Sequence, residues 1–170
     1  VLQRARCYIS RWECRELARL IAQIGNCFYY EAGTTWKDLL KYIDDCALTM
    51  DPIAFEIIRW CPIIFLGQDE AFTRRLAAFI EIGCRGEESF QIQSSALDSF
   101  VALVNSSEAE DDERTASILE STTVQLIEMA QTEVEKNSEY FTVLYSLEDM
   151  IESKQLRPHL PRLMELFRNI

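Results

Sequence analysis

Apolar residues recur at i, i+3, i+4 and i+7 from one end of this sequence to the other, while the strict alternation of a half-buried strand is nearly absent. That period constrains the fold more than any other feature. It gives each of a series of helices one apolar stripe and provides no sheet for those stripes to cover, so helix must pack on helix. The chain reads as all-α.

Start and stop signals divide it into eight helices. The first is expected over about residues 4–24, with Cys14, Leu17, Ile21 and Ile24 on one side, followed by the loop NCFYYEAGT. Thr35, with Asp38 three residues on, reads as a capping box for a second helix striped by Trp36, Leu39, Leu40, Ile43 and Ala47. Asp51 before Pro52 opens a third as N-cap and first-turn proline, and Pro62 must end or kink it. Asp69 can cap a fourth, with Phe72, Leu76, Phe79 and Ile80 inward. A fifth is expected over about residues 90–104, bearing Ile92, Ala96, Phe100 and Leu103. NSSEAEDDER (105–114) reads as a flexible loop too polar to pack. A sixth over about 115–132 carries Leu119, Thr123, Leu126 and Ala130, and Ser138 opens a seventh with Phe141, Leu144, Tyr145, Leu147 and Ile151. In LRPHLPRLMELF (156–167) either proline can sit in the first turn of an eighth, ahead of Leu160, Leu163, Met164 and Phe167.

A short pattern repeats along these helices: an apolar pair followed three positions on by a small or apolar residue. It occurs at Leu39-Leu40 with Ile43, Phe79-Ile80 with Gly83, Leu126-Ile127 with Ala130, and Leu163-Met164 with Phe167. The starts differ by about 40, 47 and 37 residues, close to the period of HEAT or armadillo units. With helices in strict succession, this favours a stack of about four helix pairs over a closed bundle. The eighth helix then points partly onto a further repeat. Residues 1–170 are expected to form a single array that is a piece of a longer solenoid.

Composition narrows the function. No apolar run is long enough to span a membrane. The six cysteines contain no CxxC, and the one histidine, His159, is distant from all of them, so a zinc site is not expected. They read as reduced core residues on helices, which implies a reducing compartment such as cytoplasm or nucleus. There is no phosphate loop, GxSxG or HExxH, so the chain is not expected to be an enzyme, and no cofactor is implied. The net charge of −11 is concentrated: residues 87–152 hold sixteen acids against Arg114 and Lys136, leaving the remainder at +3. Such a surface repels nucleic acid and suits protein partners with basic segments.

Three segments carry a family resemblance. EAGTTWKDLLKYI (31–43), CPIIFLGQDEAF (61–72) and KQLRPHLPRLMELF (154–167) together resemble the N-terminal part of the importin-beta (karyopherin-beta) superfamily, most closely its importin-5 branch. The resemblance implies a HEAT-repeat superhelix that is a fragment of a nuclear transport receptor. It also implies that protein cargo and Ran-GTP bind along the concave side of the full-length protein and nucleoporins on the convex side, with residence in cytoplasm and nucleus. A HEAT scaffold holding one dedicated partner, without transport activity, is the alternative.

If the array curls as that family does, the polar rows of the first, third, fifth and seventh helices line one groove. These rows contribute Arg11, Arg15 and Arg19, then Glu56 and Arg59, then Gln91, Ser95, Asp98 and Asn105, and finally Ser146, Asp149 and Glu152. The groove would be basic at one end and acidic at the other. Trp12 and Trp60 read as core, with an anchoring role as the rival assignment.

Overall fold

A computed structural model of the protein describes residues 11–86, 89–109, 111–136 and 141–170, excluding the side chains of residues 11, 12, 108 and 109. Among the described residues there are eight α-helices and no strand. They are α1 (Arg11–Ala32), α2 (Lys37–Ala47), α3 (Pro52–Trp60), α4 (Glu70–Cys84), α5 (Phe90–Ala109), α6 (Glu113–Glu135), α7 (Thr142–Glu148) and α8 (Leu160–Arg168), with 3-10 turns at Pro62–Phe65 and Arg157–His159.

The helices form two layers. α1, α3, α5 and α7 pack in succession in one, α2, α4, α6 and α8 in the other, and the layers join where α4 meets α5 and α6 meets α7. Contacts between neighbours of this kind define a helical-repeat solenoid. The four copies of the repeated pattern all fall in the second layer, one each on α2, α4, α6 and α8. In α4 and α6 the apolar pair and the small residue after it are wholly buried, as Phe79, Ile80 and Gly83 and as Leu126, Ile127 and Ala130.

Local chemistry sets the boundaries. Asp51 accepts from the Ile53 amide at 3.0 Å with Pro52 behind it, and Asp69 accepts from the Phe72 amide at 2.9 Å. Both satisfy N–H groups that a helix start otherwise leaves open. Pro62 ends α3 and starts the first 3-10 turn. α3 lies between α1 and α5, and accordingly every residue from Ile53 to Ile58 is buried. At its centre Phe55 stacks on Phe79 of α4, with ring centroids 4.2 Å apart and planes 8° apart. A Cβ placed on Gly83 would lie 2.6 Å from the Phe55 ring and 2.7 Å from the Ala96 methyl, so this glycine permits the close approach of α4 to α3 and α5.

Side-chain bonds stitch successive helices of the second layer. Arg75 of α4 makes a two-pronged bond to Asp44 of α2, at 3.1 and 2.8 Å. Asp112 caps α6 through the Thr115 amide and hydroxyl, and also accepts from the Gly67 amide ahead of α4 at 2.8 Å. Burial pushes the Asp112 carboxyl up, but these hydrogen bonds outweigh it and hold it below the ordinary carboxylate range. Arg162 of α8 donates to the Gln131 amide oxygen of α6.

Several expected boundaries are corrected. α1 runs through NCFYYEA to Ala32, leaving a much shorter link, and Trp36 rather than Thr35 occupies the N-cap of α2, without a side-chain cap bond. Most of the segment expected as a loop is helical: α5 continues to Ala109 and α6 begins at Glu113. Polarity misleads there because Ser107 is buried and its hydroxyl donates to the Val104 carbonyl at 2.9 Å, so it packs as a small helical residue. Ser138 lies outside the described residues, and Glu133 of α6 performs the capping, accepting from the Val143 and Leu144 amides at 3.1 to 3.2 Å. Tyr145, Ile151 and Met164 are exposed, as is Cys27, whereas Cys46, Cys61 and Cys84 are core residues. Burial pushes the Cys61 thiol up to about 12, and Sγ donates to the Ile57 carbonyl.

Candidate protein-binding face

The first layer carries its polar side chains in register from helix to helix. Arg15 of α1 donates through Nε to a Glu56 carboxylate oxygen of α3 at 3.2 Å, and Arg59, a turn further along α3, lies 4.0 Å from the other oxygen. Arg59 then reaches across to Asp98 of α5 at 2.9 Å. Ser95, one turn before Asp98, is 3.4 Å from Glu56 through its hydroxyl. Three helices are thus joined by one chain of charge. Glu56 was expected on an open polar face, but it is buried, with a side chain 8% exposed beneath two arginines that are 49% and 40% exposed.

Burial pushes the Asp98 carboxyl up. Arg59 and Arg15 pull it down, Glu56 and Asp149 push it up, and the net position is above the ordinary carboxylate value. Asp149 is exposed just after α7, so the α5–α7 seam brings two like charges together where the α1–α3 and α3–α5 seams have opposite ones.

Arg19 and Arg59 flank Trp60, with guanidinium carbons 5.4 and 5.8 Å from the ring centroid. Trp60 is 46% exposed, so its assignment to the core is corrected. The ring sits at the last residue of α3, two positions before Pro62. With Tyr30, Asn26 and Ser106 it lines a cleft of about 240 Å³. A smaller one, about 110 Å³, lies beside Arg15, Glu56, Gln91 and Ser95.

The remaining expected residues are more scattered. Asn105 and Glu152 are exposed on α5 and after α7, while Ser146 is half-buried and donates to the Thr142 carbonyl of its own helix. The side chain of Arg11 and that of Trp12 lie outside the described set. Within the rows basic and acidic residues are paired from helix to helix, Arg15 with Glu56 and Arg59 with Asp98. Trp60 had no distinguishing signal beyond its place just before Cys61-Pro62.

The family model described as IPO5-like, TPR repeats matches residues 14–166, from within α1 to within α8. The chain belongs to this IPO5-like repeat family. No curated protein and no solved structure matches it. As an importin-5-like array of stacked helix pairs, its second-layer helices start at Lys37, Glu70, Glu113 and Leu160, intervals that run from about the 34 residues of a TPR unit to the 40 to 47 of a HEAT unit. The IPO5-like match spans every polar contact described for the first layer. No described helix is long and apolar enough to cross a membrane.

Proposed function

We propose that this chain is the protein-binding part of a nuclear transport receptor, and that the first layer is the concave surface on which protein cargo with basic segments is held. Membership of an importin-5-like repeat family supports this reading. The single observation that carries it is the chain of charge Arg15–Glu56–Arg59–Asp98, which crosses three helices of this layer and ends at Asp98, where the charge of Asp149 also acts. A lysine or arginine of a cargo segment placed there continues the alternation of charge that Arg15, Glu56, Arg59 and Asp98 set up. The exposed Trp60 ring beside it offers an aromatic anchor. In the full-length protein Ran-GTP shares this surface and nucleoporins bind the opposite layer; the protein moves between cytoplasm and nucleus as a carrier rather than a catalyst.

The test has two arms. A lysine-rich peptide titrated against the chain should lose affinity and salt dependence when Asp98, Asp149 and Glu152 are replaced by Asn, Asn and Gln. In the full-length protein a bound partner should be released on adding Ran-GTP. Retention of the partner in the presence of Ran-GTP, with peptide binding intact, identifies a dedicated scaffold instead. Peptide affinity unchanged by the triple substitution, in a folded chain, removes the acidic seam from function.

A further inference from the structure

A further cleft lies away from this face, at the turn between α5 and α6 and against the turns that precede α8. It has a volume of about 240 Å³ and is walled by Asp111, Asp112, Glu113, Glu120, Lys154 and Gln155. The Asp112 carboxylate is already engaged by Thr115 and Gly67. Lys154 lies 3.6 Å from Asp111, with side chains 68% and 86% exposed, so water screens the pair, and one lysine faces four carboxylates. The cleft therefore keeps an excess of negative charge.

Acids at a turn would alone mean nothing more than a solvated corner. Gln155 is the independent observation. It forms part of the cleft wall, is 9% exposed, and neither its amide oxygen nor its amide nitrogen has a hydrogen-bond partner. A buried side-chain amide left wholly unmatched is uncommon and costly, and a donor brought to its oxygen relieves part of that cost. Such a group must donate to an amide oxygen and carry positive charge. The donor set does not suit a metal, because among the described residues no three His, Cys, Asp or Glu side chains converge on one point. The volume lies below the range of cofactor and drug-sized pockets, about 300 to 1,000 Å³, which leaves room for a single long side chain. Ala116 and Pro158 offer apolar surface for its stem. A guanidinium fits best, since its planar fork donates to separated carboxylates and an amide oxygen at once, which a point-like ammonium does less well.

We propose that this cleft is a receptor for one arginine side chain of a partner protein, with Gln155 accepting from the guanidinium while Glu113 and Glu120 neutralise it. The site is separate from the Asp98–Asp149 seam and works whether or not that seam binds cargo.

The isotope-labelled full chain is titrated, at constant ionic strength, with acetyl-Gly-Arg-Gly-amide, its lysine counterpart and agmatine, while the Gln155 side-chain amide and the backbone signals of residues 111–117 are followed by NMR. Saturable shifts should appear with the arginine peptide at an affinity about fivefold or more above that of the lysine peptide. Gln155→Leu should weaken binding about fivefold or more without lowering Tm, because it removes an unmatched amide rather than a bond. Should that variant not fold, Glu120→Gln on the exposed side of α6 should produce the loss. Asp98→Asn should leave these shifts unchanged. Absence of saturation, equal response to both peptides, or full binding by either cleft variant overturns the proposal. Agmatine binding more than tenfold tighter than the peptide overturns the assignment to a protein partner.

Discussion

Arg59 on α3 bonds to Asp98 on α5 at 2.9 Å while Asp149, just beyond α7, raises the affinity of that same carboxylate for a proton. The two influences oppose each other across one layer of helices. Asp149→Asn should lower the apparent pKa of Asp98, and Arg59→Met should raise it, both read by carboxyl-carbon NMR titration. Because the Asp98 carboxyl is raised in the fold, its contribution to stability is fully present below the ordinary carboxylate value and is lost as pH rises through the raised one. Asp149→Asn should reduce that loss. No change in the Asp98 titration in either variant would place the three residues further apart than described.

Gly83 allows α4 to lie against Phe55 and Ala96, and the Phe55–Phe79 stack depends on that distance. Gly83→Val should destabilise the chain by about 1 to 3 kcal/mol through overpacking, more than any gain in helix propensity returns. Phe55→Ala should cost about 3 to 5 kcal/mol, since the ring is fully buried. Urea unfolding of both variants checks the order of the two effects.

Asp112 caps α6 and reaches back to Gly67. Asp112→Ala should lose about 0.5 to 2 kcal/mol at neutral pH. Its carboxyl is depressed in the fold, so the stability it gives is present above the ordinary carboxylate value and disappears as pH falls through the depressed one. The gap between native and variant, measured by urea unfolding as a function of pH, should therefore close in acid.

Glu133 has the opposite sign. Burial pushes its carboxyl up although the Val143, Leu144 and Thr142 amides pull it down. Glu133→Gln keeps an oxygen to accept from Val143 and Leu144 and removes the desolvated charge, so it should be at least as stable as the native chain at neutral pH. Glu133→Ala leaves the start of α7 without its acceptor and should lose about 0.5 to 2 kcal/mol. Thermal melts of the two variants separate capping from charge.

Much of the architecture was legible because it depends on period and on proline and aspartate, whose effects are local. The caps at Asp51 and Asp69, the break at Pro62, and the inward faces of Phe72, Leu76, Phe79 and Ile80 follow from spacing alone. What escaped reading was non-local. Glu133 caps a helix ten residues away, and Asp112 serves its own helix and the turn before α4 together. Asn105, Ser106 and Ser107 resemble a linker in sequence, yet Ser107 is buried. The binding face was legible as a set of rows but not as a network, since whether Arg59 points to Asp98 or to water is decided by the helix packed beside it.

Stacked helices flex by opening the seams between them, so the bonds across each seam set where such a molecule yields. The second layer is fastened by Arg75 to Asp44, by Asp112 to Gly67 and by Arg162 to Gln131. Opposite them, Arg15 and Arg59 tie α1 to α3 and α3 to α5, and at the α5–α7 seam the like charges of Asp98 and Asp149 meet instead. Along that side the pitch is therefore set seam by seam, ionic ties holding the first two and a like-charge push acting at the third, each softened by dissolved salt.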